Sequence, residues 1–201
     1  MDFRVIDITK DLITTPVYPG DPEPRLAVFS SISSGAACNI SVLQTALHCG
    51  THVDAPLHFI KDGDTINKYD PSLFIGECKV IEVPPGRIDG EYVDIHFPKA
   101  YKRVLIKSGG KAYFDRTGAE EAAYLGIKLI GTDANSVGTA GDQVGPHRAF
   151  LEEKIALLEN LDLENVKPGN YFLIAPPVKI NGVEAAPARA LLLDGYVFWS
   201  N

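Results

Sequence analysis

Residues 48–58 read HCGTHVDAPLH and place three of the chain's five histidines and one aspartate within one short stretch. Neutral imidazoles and carboxylates are the usual protein ligands of zinc, manganese and iron. His48 and His52 are four residues apart, so one helical turn of backbone would bring both rings to one ion. Asp54 follows two residues later, where an extended backbone would return its side chain to the face of His52. The stretch therefore predicts a divalent metal site.

Gly50 and Pro56 predict a bent, tightly turned backbone in this stretch rather than a regular helix. Ordinary surface or hydrogen-bonded histidines are the alternative, because short patterns also arise by chance. Cys49 lies between the two histidines and could be a thiolate ligand or a nucleophile. A small packed residue beside the ligands is its expected role.

The composition favours one soluble domain over residues 1–201. A chain of 201 residues with 45% hydrophobic content can bury a substantial core. Its formal net charge of −7, without a Lys/Arg cluster, argues against nucleic acid as a partner. No apolar run is long enough to span a membrane and no signal peptide is evident, so we expect a cytoplasmic protein. Three cysteines without a C-x-x-C pair do not describe a disulfide framework.

Apolar and β-branched runs alternate with helical segments along the chain, which indicates the α/β class. Strands are predicted at residues 5–8, 26–32, 39–46, 79–83, 103–107, 128–133, 171–175 and 188–193. Helices are predicted at 118–126 and from His147 to Glu153, with Pro146 in the first turn. Residues 155–159 could continue the second helix, but we favour a short buried strand. His96 is isolated and is expected in an exposed loop.

Two further residues are candidates for contact with a ligand. Pro16 and Pro19 flank Tyr18 and stiffen its loop, which could present the ring to a ligand or simply pack on the surface. Glu159 ends an apolar run, where an unpaired carboxylate would be costly to bury and a metal would offset that cost. A Glu159 exposed at the end of its strand is the alternative.

Asp54 is the natural centre of a site with two ions. Each of its two oxygens could bind one ion, and a carboxylate can bridge ions roughly 3.5–4 Å apart. A second ion needs further donors, and His147 and Glu159 are the best candidates.

Motifs of other enzyme classes are incomplete in this chain. Ala134 stands where the nucleophile elbow of a serine hydrolase would need its first glycine before Ser136. Residues 108–111, SGGK, lack the upstream glycine and the following Ser/Thr of a phosphate-binding P-loop.

The pattern H-x-G-T-H-x-D-x-P-x-H at residues 48–58 resembles that of the metal-dependent cyclase family, which includes the bacterial-type kynurenine formamidases (arylformamidases). Weaker matches follow that family's order: PVYPGD at 16–21, GTDANSV at 131–137, His147, LLENL at 157–161 and PARA at 187–190. The resemblance covers nearly the whole chain.

This resemblance implies one or two divalent ions, with zinc expected and manganese as the alternative. It implies that one ion is bound by His48, His52 and Asp54. In the two-metal members, Asp54, His147 and Glu159 would bind the second ion.

The resemblance also implies a single compact α/β domain of the swivelling β/β/α type, assembled as a homodimer or tetramer. The implied reaction is hydrolysis of the C–N amide bond of a small molecule by metal-activated water, with His58 as general acid and base. In the best-known case N-formylkynurenine gives formate and kynurenine, a step of tryptophan catabolism.

The chain departs from the formamidase pattern at two positions that bear on the substrate. Gly138 stands where those enzymes tend to have aspartate, and Tyr18 where they often have tryptophan. Two alternatives follow. One is a related hydrolase or cyclase acting on a cyclic amide, imide or lactone, and the other is a metal-stabilised binding protein without catalysis.

Overall fold

The computed structural model describes residues 3–195, which contain thirteen strands and three helices. The strands are β1 Arg4–Asp7, β2 Arg25–Ser30, β3 Ile40–Gln44, β4 His52–Asp54, β5 Ile75–Glu82, β6 Gly86–Ile88, β7 Arg103–Lys107, β8 Ala112–Phe114, β9 Leu129–Thr132, β10 Ala156–Glu159, β11 Gly169–Ile174, β12 Ala185–Pro187 and β13 Leu191–Asp194. The helices are α1 Gly90–His96, α2 Arg116–Tyr124 and α3 Val144–Glu152. None of these helices is long and apolar enough to cross a membrane.

Nine strands form one curled sheet in the order β1-β13-β11-β5-β7-β9-β10-β4-β12. The four strands β5, β7, β9 and β10 run parallel, and all other neighbours in this sheet are antiparallel. Each parallel connection carries one of the three helices, because parallel neighbours can be joined only by a crossover. The predicted α/β class and single domain are confirmed. The short strands β6 and β8 pair with each other, and so do β2 and β3.

Alternate residues of the central strands face two different cores. On β7, Val104 and Ile106 pack in the core on the helix side, whereas Leu105 packs in the core on the opposite face. On β10, Leu157 and Leu158 divide in the same way. Successive side chains of a strand point to opposite faces, so this alternation also decides where the polar residues of the strands point.

Most predicted elements are present, including the strand favoured over a helix at 155–159. Helix α3 ends at Glu152 because Lys154 adopts φ +57°, which a continuing helix cannot accommodate. The strand expected at 188–193 is present, but it begins only at Leu191, as β13. Residues 188–190 instead connect β12, which pairs with β4, to β13, which pairs with β1 and β11.

The expectation of a loop around His96 is also wrong, because this residue ends helix α1. Asp89 caps the helix by accepting a hydrogen bond from the Tyr92 amide at 3.0 Å. The Tyr92 ring lies 4.4 Å from the His96 ring, one turn further along the helix. His96 remains exposed, as predicted.

The three cysteines form no disulfide, in agreement with the sequence. Cys38 is exposed, whereas Cys49 and Cys78 are buried.

The turn after β7 binds a carboxylate from within the chain. Asp133 accepts hydrogen bonds from the amides of Ser108, Gly109 and Gly110 at 2.9, 2.8 and 3.1 Å, and from the Ser108 hydroxyl at 2.8 Å. Both glycines have positive φ, which they adopt without strain. The SGGK stretch is therefore a structural turn that fixes the end of β9 beside the end of β7.

We expect Asp133→Ala to lower the free energy of unfolding by about 3 kcal/mol, since several donors at this turn lose their charged acceptor. Urea denaturation at fixed metal concentration would measure the loss. Asp94→Ala is the control, because Asp94 is in an exposed pair with Lys99 whose removal should change stability by less than about 1 kcal/mol. Equal midpoints for wild type and Asp133→Ala would contradict this assignment.

Candidate metal centre

Two neighbouring strands place three donor residues on one face of the sheet. Strand β4 pairs antiparallel with β10, and Glu159 lies directly opposite His52. Because Asp54 is two residues from His52, both side chains point to the helix side, while Val53 points into the opposite core. All three donor residues are buried, at 3% exposure or less. The alternative of an exposed Glu159 is wrong.

The chain before β4 is bent, as Gly50 predicted. Gly50 has φ +61°, and a Cβ atom there would lie 2.8 Å from the Leu12 backbone, so no other residue fits without displacement. Thr51 holds the bend because its hydroxyl donates to the Asn160 carbonyl and accepts from the Lys10 amide. The bend brings His48 Nδ1 to 3.1 Å from Asp54 Oδ1.

Two further imidazoles approach from outside the sheet. His58 ends the 3₁₀ turn Pro56–His58, and its Nε2 lies 4.0 Å from Asp54 Oδ2. His147 lies on α3, with Nε2 3.5 Å from Glu159 Oε1 and 3.8 Å from Asp54 Oδ2. The structure thus brings together all six residues that the sequence singled out for metal binding and acid–base chemistry.

Backbone carbonyls orient two of these imidazoles. His52 Nδ1 donates to the Gly50 carbonyl at 2.9 Å, and His147 Nδ1 donates to the Gln143 carbonyl at 2.7 Å. Because Nδ1 keeps its proton in this arrangement, Nε2, which faces the two carboxylates, is the ring nitrogen available to a metal ion. A carbonyl that fixes the far nitrogen of a histidine is a frequent partner of metal-binding imidazoles.

The centre holds buried polar atoms that its own residues do not satisfy. His52 Nε2 and both carboxylate oxygens of Asp54 are buried without a hydrogen bond of acceptable geometry in the described part of the chain. Glu159 accepts one hydrogen bond, from the Val137 amide at 2.7 Å. Buried carboxylates are costly unless a cation compensates them, and nitrogen and oxygen donors suit a divalent transition-metal ion. The residues therefore fit a metal.

The carboxylates and imidazoles of the centre shift one another's pKa values. Burial opposes a charge on His48, but the Asp54 carboxylate outweighs it and raises the pKa of His48 to about 9. Glu159 and Asp54 likewise outweigh burial and raise the pKa values of His52 and His147. These histidines hold the pKa values of both carboxyl groups below their usual range, although burial acts in the other direction.

His58 differs from the other three imidazoles. Burial is the largest influence on its ring and lowers its pKa, which favours the neutral form of the imidazole. Its side chain is 27% exposed, whereas those of His52 and His147 are almost fully buried. A neutral, accessible imidazole beside the carboxylates can accept a proton from water.

Among residues 3–195, two groups of three donor residues have ligand atoms within 4.8 Å of one another. The groups are His48, Asp54 and His58, and His52, Asp54 and Glu159. Both include Asp54, which agrees with its expected central position. They divide the histidines differently from the sets that the sequence resemblance implied, because His58 lies beside His48 and His52 faces Glu159 across the strands.

A cleft of about 230 Å³ opens above these donors. Tyr18 lines it, and its hydroxyl accepts a hydrogen bond from Gln143 Nε2 at 3.0 Å. Gln143 also accepts from the Ser136 hydroxyl at 2.8 Å, so one side chain connects the Tyr18 loop to the centre. Phe59 stacks on His147 with 4.3 Å between ring centroids.

Comparison with known proteins agrees with this geometry. A family model described as "Putative cyclase" matches residues 6–139. The kynurenine formamidase of Sphingopyxis alaskensis is 33% identical over 205 residues, which cover 95% of this chain and 98% of that protein.

The chain belongs to the cyclase family. This membership confirms the prediction of an enzyme of the metal-dependent amidohydrolase class.

Solved structures share the fold of this cyclase-family chain. A potential metal-dependent hydrolase with cyclase activity superposes with a TM-score of 0.80 at 26% identity, covering 98% of this chain and all of the other. Isatin hydrolase A of Labrenzia aggregata has the same TM-score at 19% identity, covering 96% and 94% of the two chains, and this likeness concerns the fold alone.

Sequence reasoning missed several residues around the centre. Glu184 precedes β12, and its Oε1 lies 3.6 Å from His48 Nε2. Gln143 lies in a glycine-rich loop whose sequence has no periodicity that would mark it.

Cys49 is in neither donor group, and its sulfur lies 3.9 Å from the Pro22 carbonyl. This position agrees with the expected packing role.

We expect Asp54→Asn to weaken divalent metal binding at least about 100-fold, because both donor groups lose the charge of their common carboxylate. Glu159→Gln should weaken binding in one group only and leave measurable metal in a two-metal protein. Metal content after dialysis and calorimetric titration would measure both effects. Asp21→Asn is the control, since Asp21 lines the cleft outside both donor groups. Asp54→Asn with the wild-type metal content would refute the central position of Asp54.

Proposed function

We propose that the chain hydrolyses the C–N bond of a small N-acyl aryl amide, with N-formylkynurenine as the first substrate to test. The observation that carries this proposal is the convergence of two buried carboxylates and four imidazoles at the floor of an open cleft. The similarity to a kynurenine formamidase over nearly the full length of both chains supports the choice of substrate.

We propose zinc as the resident ion, with manganese as the alternative, in one or two positions. The proposed ligands are His48, His52, Asp54, His147 and Glu159. A bound divalent ion supplies Lewis acidity that activates water and polarises the amide carbonyl. The backbone carbonyls of Gly50 and Gln143 keep the ligand imidazoles in the tautomer that binding requires.

His58 is the proposed general base and acid. Its neutral ring accepts a proton from the attacking water and returns it to the departing aryl nitrogen, which leaves as an amine. Tyr18, held by Gln143 at the rim of the cleft, is proposed to pack against the aryl ring of the substrate.

We expect His58→Ala to keep its metal and to lower kcat for formate release from N-formylkynurenine by about 100-fold or more. Metal content and formate release would be measured on the same preparations. His96→Ala is the matched control. This exposed histidine lies on α1 and does not line the cleft, so the variant should behave as wild type. Loss of metal from His58→Ala would make this residue a ligand instead. Undiminished turnover would remove its acid–base role.

A cyclic amide, imide or lactone is the second candidate substrate class. Gly138 favours it, because the formamidases tend to have an aspartate at this position and this chain has no side chain there. A panel of open-chain formamides and cyclic substrates separates the two classes. Tight binding without turnover, under zinc or manganese, would favour the third alternative of a binding protein.

We also propose that two copies of the chain associate through the hairpin β2–β3. The hairpin forms no pairs with the main sheet, and an isolated two-stranded hairpin has little stability of its own. Seven of its large apolar side chains are 43–75% exposed, and Arg25 is the one charged residue in 25–44. An uncharged apolar surface of this size fits an identical surface better than a polar partner, and two-fold dimers are the commonest assemblies.

We expect the double variant Val28→Lys with Val42→Lys to sediment at a lower mass than wild type, because two charges would be buried in the interface. Ile95→Lys is the control. Ile95 on α1 is exposed to a similar degree, 63%, and its replacement should leave the mass unchanged. Analytical ultracentrifugation would measure the masses. A monomeric wild type at micromolar concentration would refute the proposed interface.

A further inference from the structure

A second groove of about 270 Å³ adjoins the cleft above the donor residues. Tyr18, Asn135 and Ser136 line both spaces, so they form the boundary that the two spaces share. The far side of the groove is built from residues 110–113, after the turn that binds Asp133, and from residues 138–140. A molecule that reaches the metal centre therefore has room to extend past Tyr18.

The loop at 138–142 gives this groove a fixed wall. The amides of Thr139 and Asp142 bond to each other's carbonyls at 3.2 and 3.0 Å, which closes a tight turn. The Asp142 carboxylate accepts from the Gly145 amide at 3.0 Å, at the start of α3, and does not line the groove. The loop thus supplies backbone and small side chains to the groove and no negative charge.

The groove and the cleft are lined by different charged residues. Asp21 and Glu159 line the cleft, whereas no carboxylate lines the groove. Lys111 is the one charged residue among the groove's lining residues in the described part of the chain. Its side chain is exposed, and its ammonium group forms no ion pair or hydrogen bond with residues 3–195. A carboxylate on a ligand would therefore meet a free cation.

We propose that this groove is a subsite for the arm of the substrate that ends in a carboxylate and that Lys111 binds this carboxylate. The proposal rests on the proposed function and adds a specificity-determining residue to it: Lys111 selects aryl formamides whose ring carries a side chain ending in a carboxylate. The formamide lies at the donor residues, the ring lies at Tyr18, and the arm extends along the groove. Lys111 acts on affinity and has no part in bond cleavage.

The test compares two substrates that differ only in the arm. N-formylkynurenine carries an amino-acid carboxylate, whereas 2-formamidoacetophenone has the same aryl ketone and formamide without it. In Lys111→Met we expect KM for N-formylkynurenine to rise about tenfold with kcat unchanged, as for the loss of one charge-assisted contact at an exposed site. Both constants for the neutral substrate should stay at wild-type values, and Lys111→Arg should restore KM.

Lys128→Met is the matched control. Lys128 is an exposed lysine before β9, at the opposite end of that strand from Asp133, and its replacement should change neither substrate's constants. An unchanged KM for N-formylkynurenine in Lys111→Met, or an equal loss for both substrates, would overturn the subsite.

A binding measurement separates this proposal from the proposed function. Calorimetry with kynurenine and with 2-aminoacetophenone reports the preference for the carboxylate without turnover. Absence of formate release from both substrates would refute the formamidase proposal. The subsite would still stand if wild type prefers kynurenine and Lys111→Met does not, and it would fall if wild type shows no such preference.

Discussion

The buried carboxylate of Asp54 is the constraint on which the rest of the centre depends. It lies on β4, beside the edge strand β12, and forms no ion pair with a lysine or arginine among residues 3–195, while its two oxygens face different imidazoles. Glu159 on the adjacent strand adds a second buried carboxylate. Two such charges repel one another in a medium of low polarity, so the folded chain needs cations at this point. Protonated histidines or a divalent ion can supply these cations. Protonation occupies the imidazole nitrogens, whereas a divalent ion uses them as ligands.

Pairing between strands, and not closeness along the chain, brings the two carboxylates together. Asp54 and Glu159 are far apart in sequence, yet the antiparallel register of β4 with β10 makes them near neighbours on one face. The period of two then sends Val53 and Leu158 into the opposite core, where they hold the same strands in place. Packing on one face of the sheet therefore maintains the metal centre on the other.

The difference between local signals and contacts of distant segments explains which features the sequence could predict. Apolar runs identified the central strands, and the spacing from His48 to Asp54 identified the donors, because both signals are local. Helix α1 was missed because it is short and buries only Val93 fully, so its apolar periodicity is faint. The approach of Glu184 to His48 and the linking role of Gln143 depend on pairing between distant segments, for which a single sequence contains no local signal. The division of the imidazoles between the donor groups is likewise a matter of distances set by the whole fold.

The segment from β2 to His58 joins the proposed dimer interface to the candidate metal centre. Its first half is a hairpin with Arg25 as its one charged residue and with apolar side chains facing solvent, and its second half carries His48, His52, Asp54 and His58. Strand β3 ends at Gln44, four residues before His48, so the hairpin and the metal-binding bend share one short connection. A partner that orders the hairpin also reduces the freedom of the backbone that positions His48, which lowers the entropy lost on metal binding. The proposed association and the proposed metal binding would thus be coupled through this connection, each favouring the backbone arrangement that the other requires.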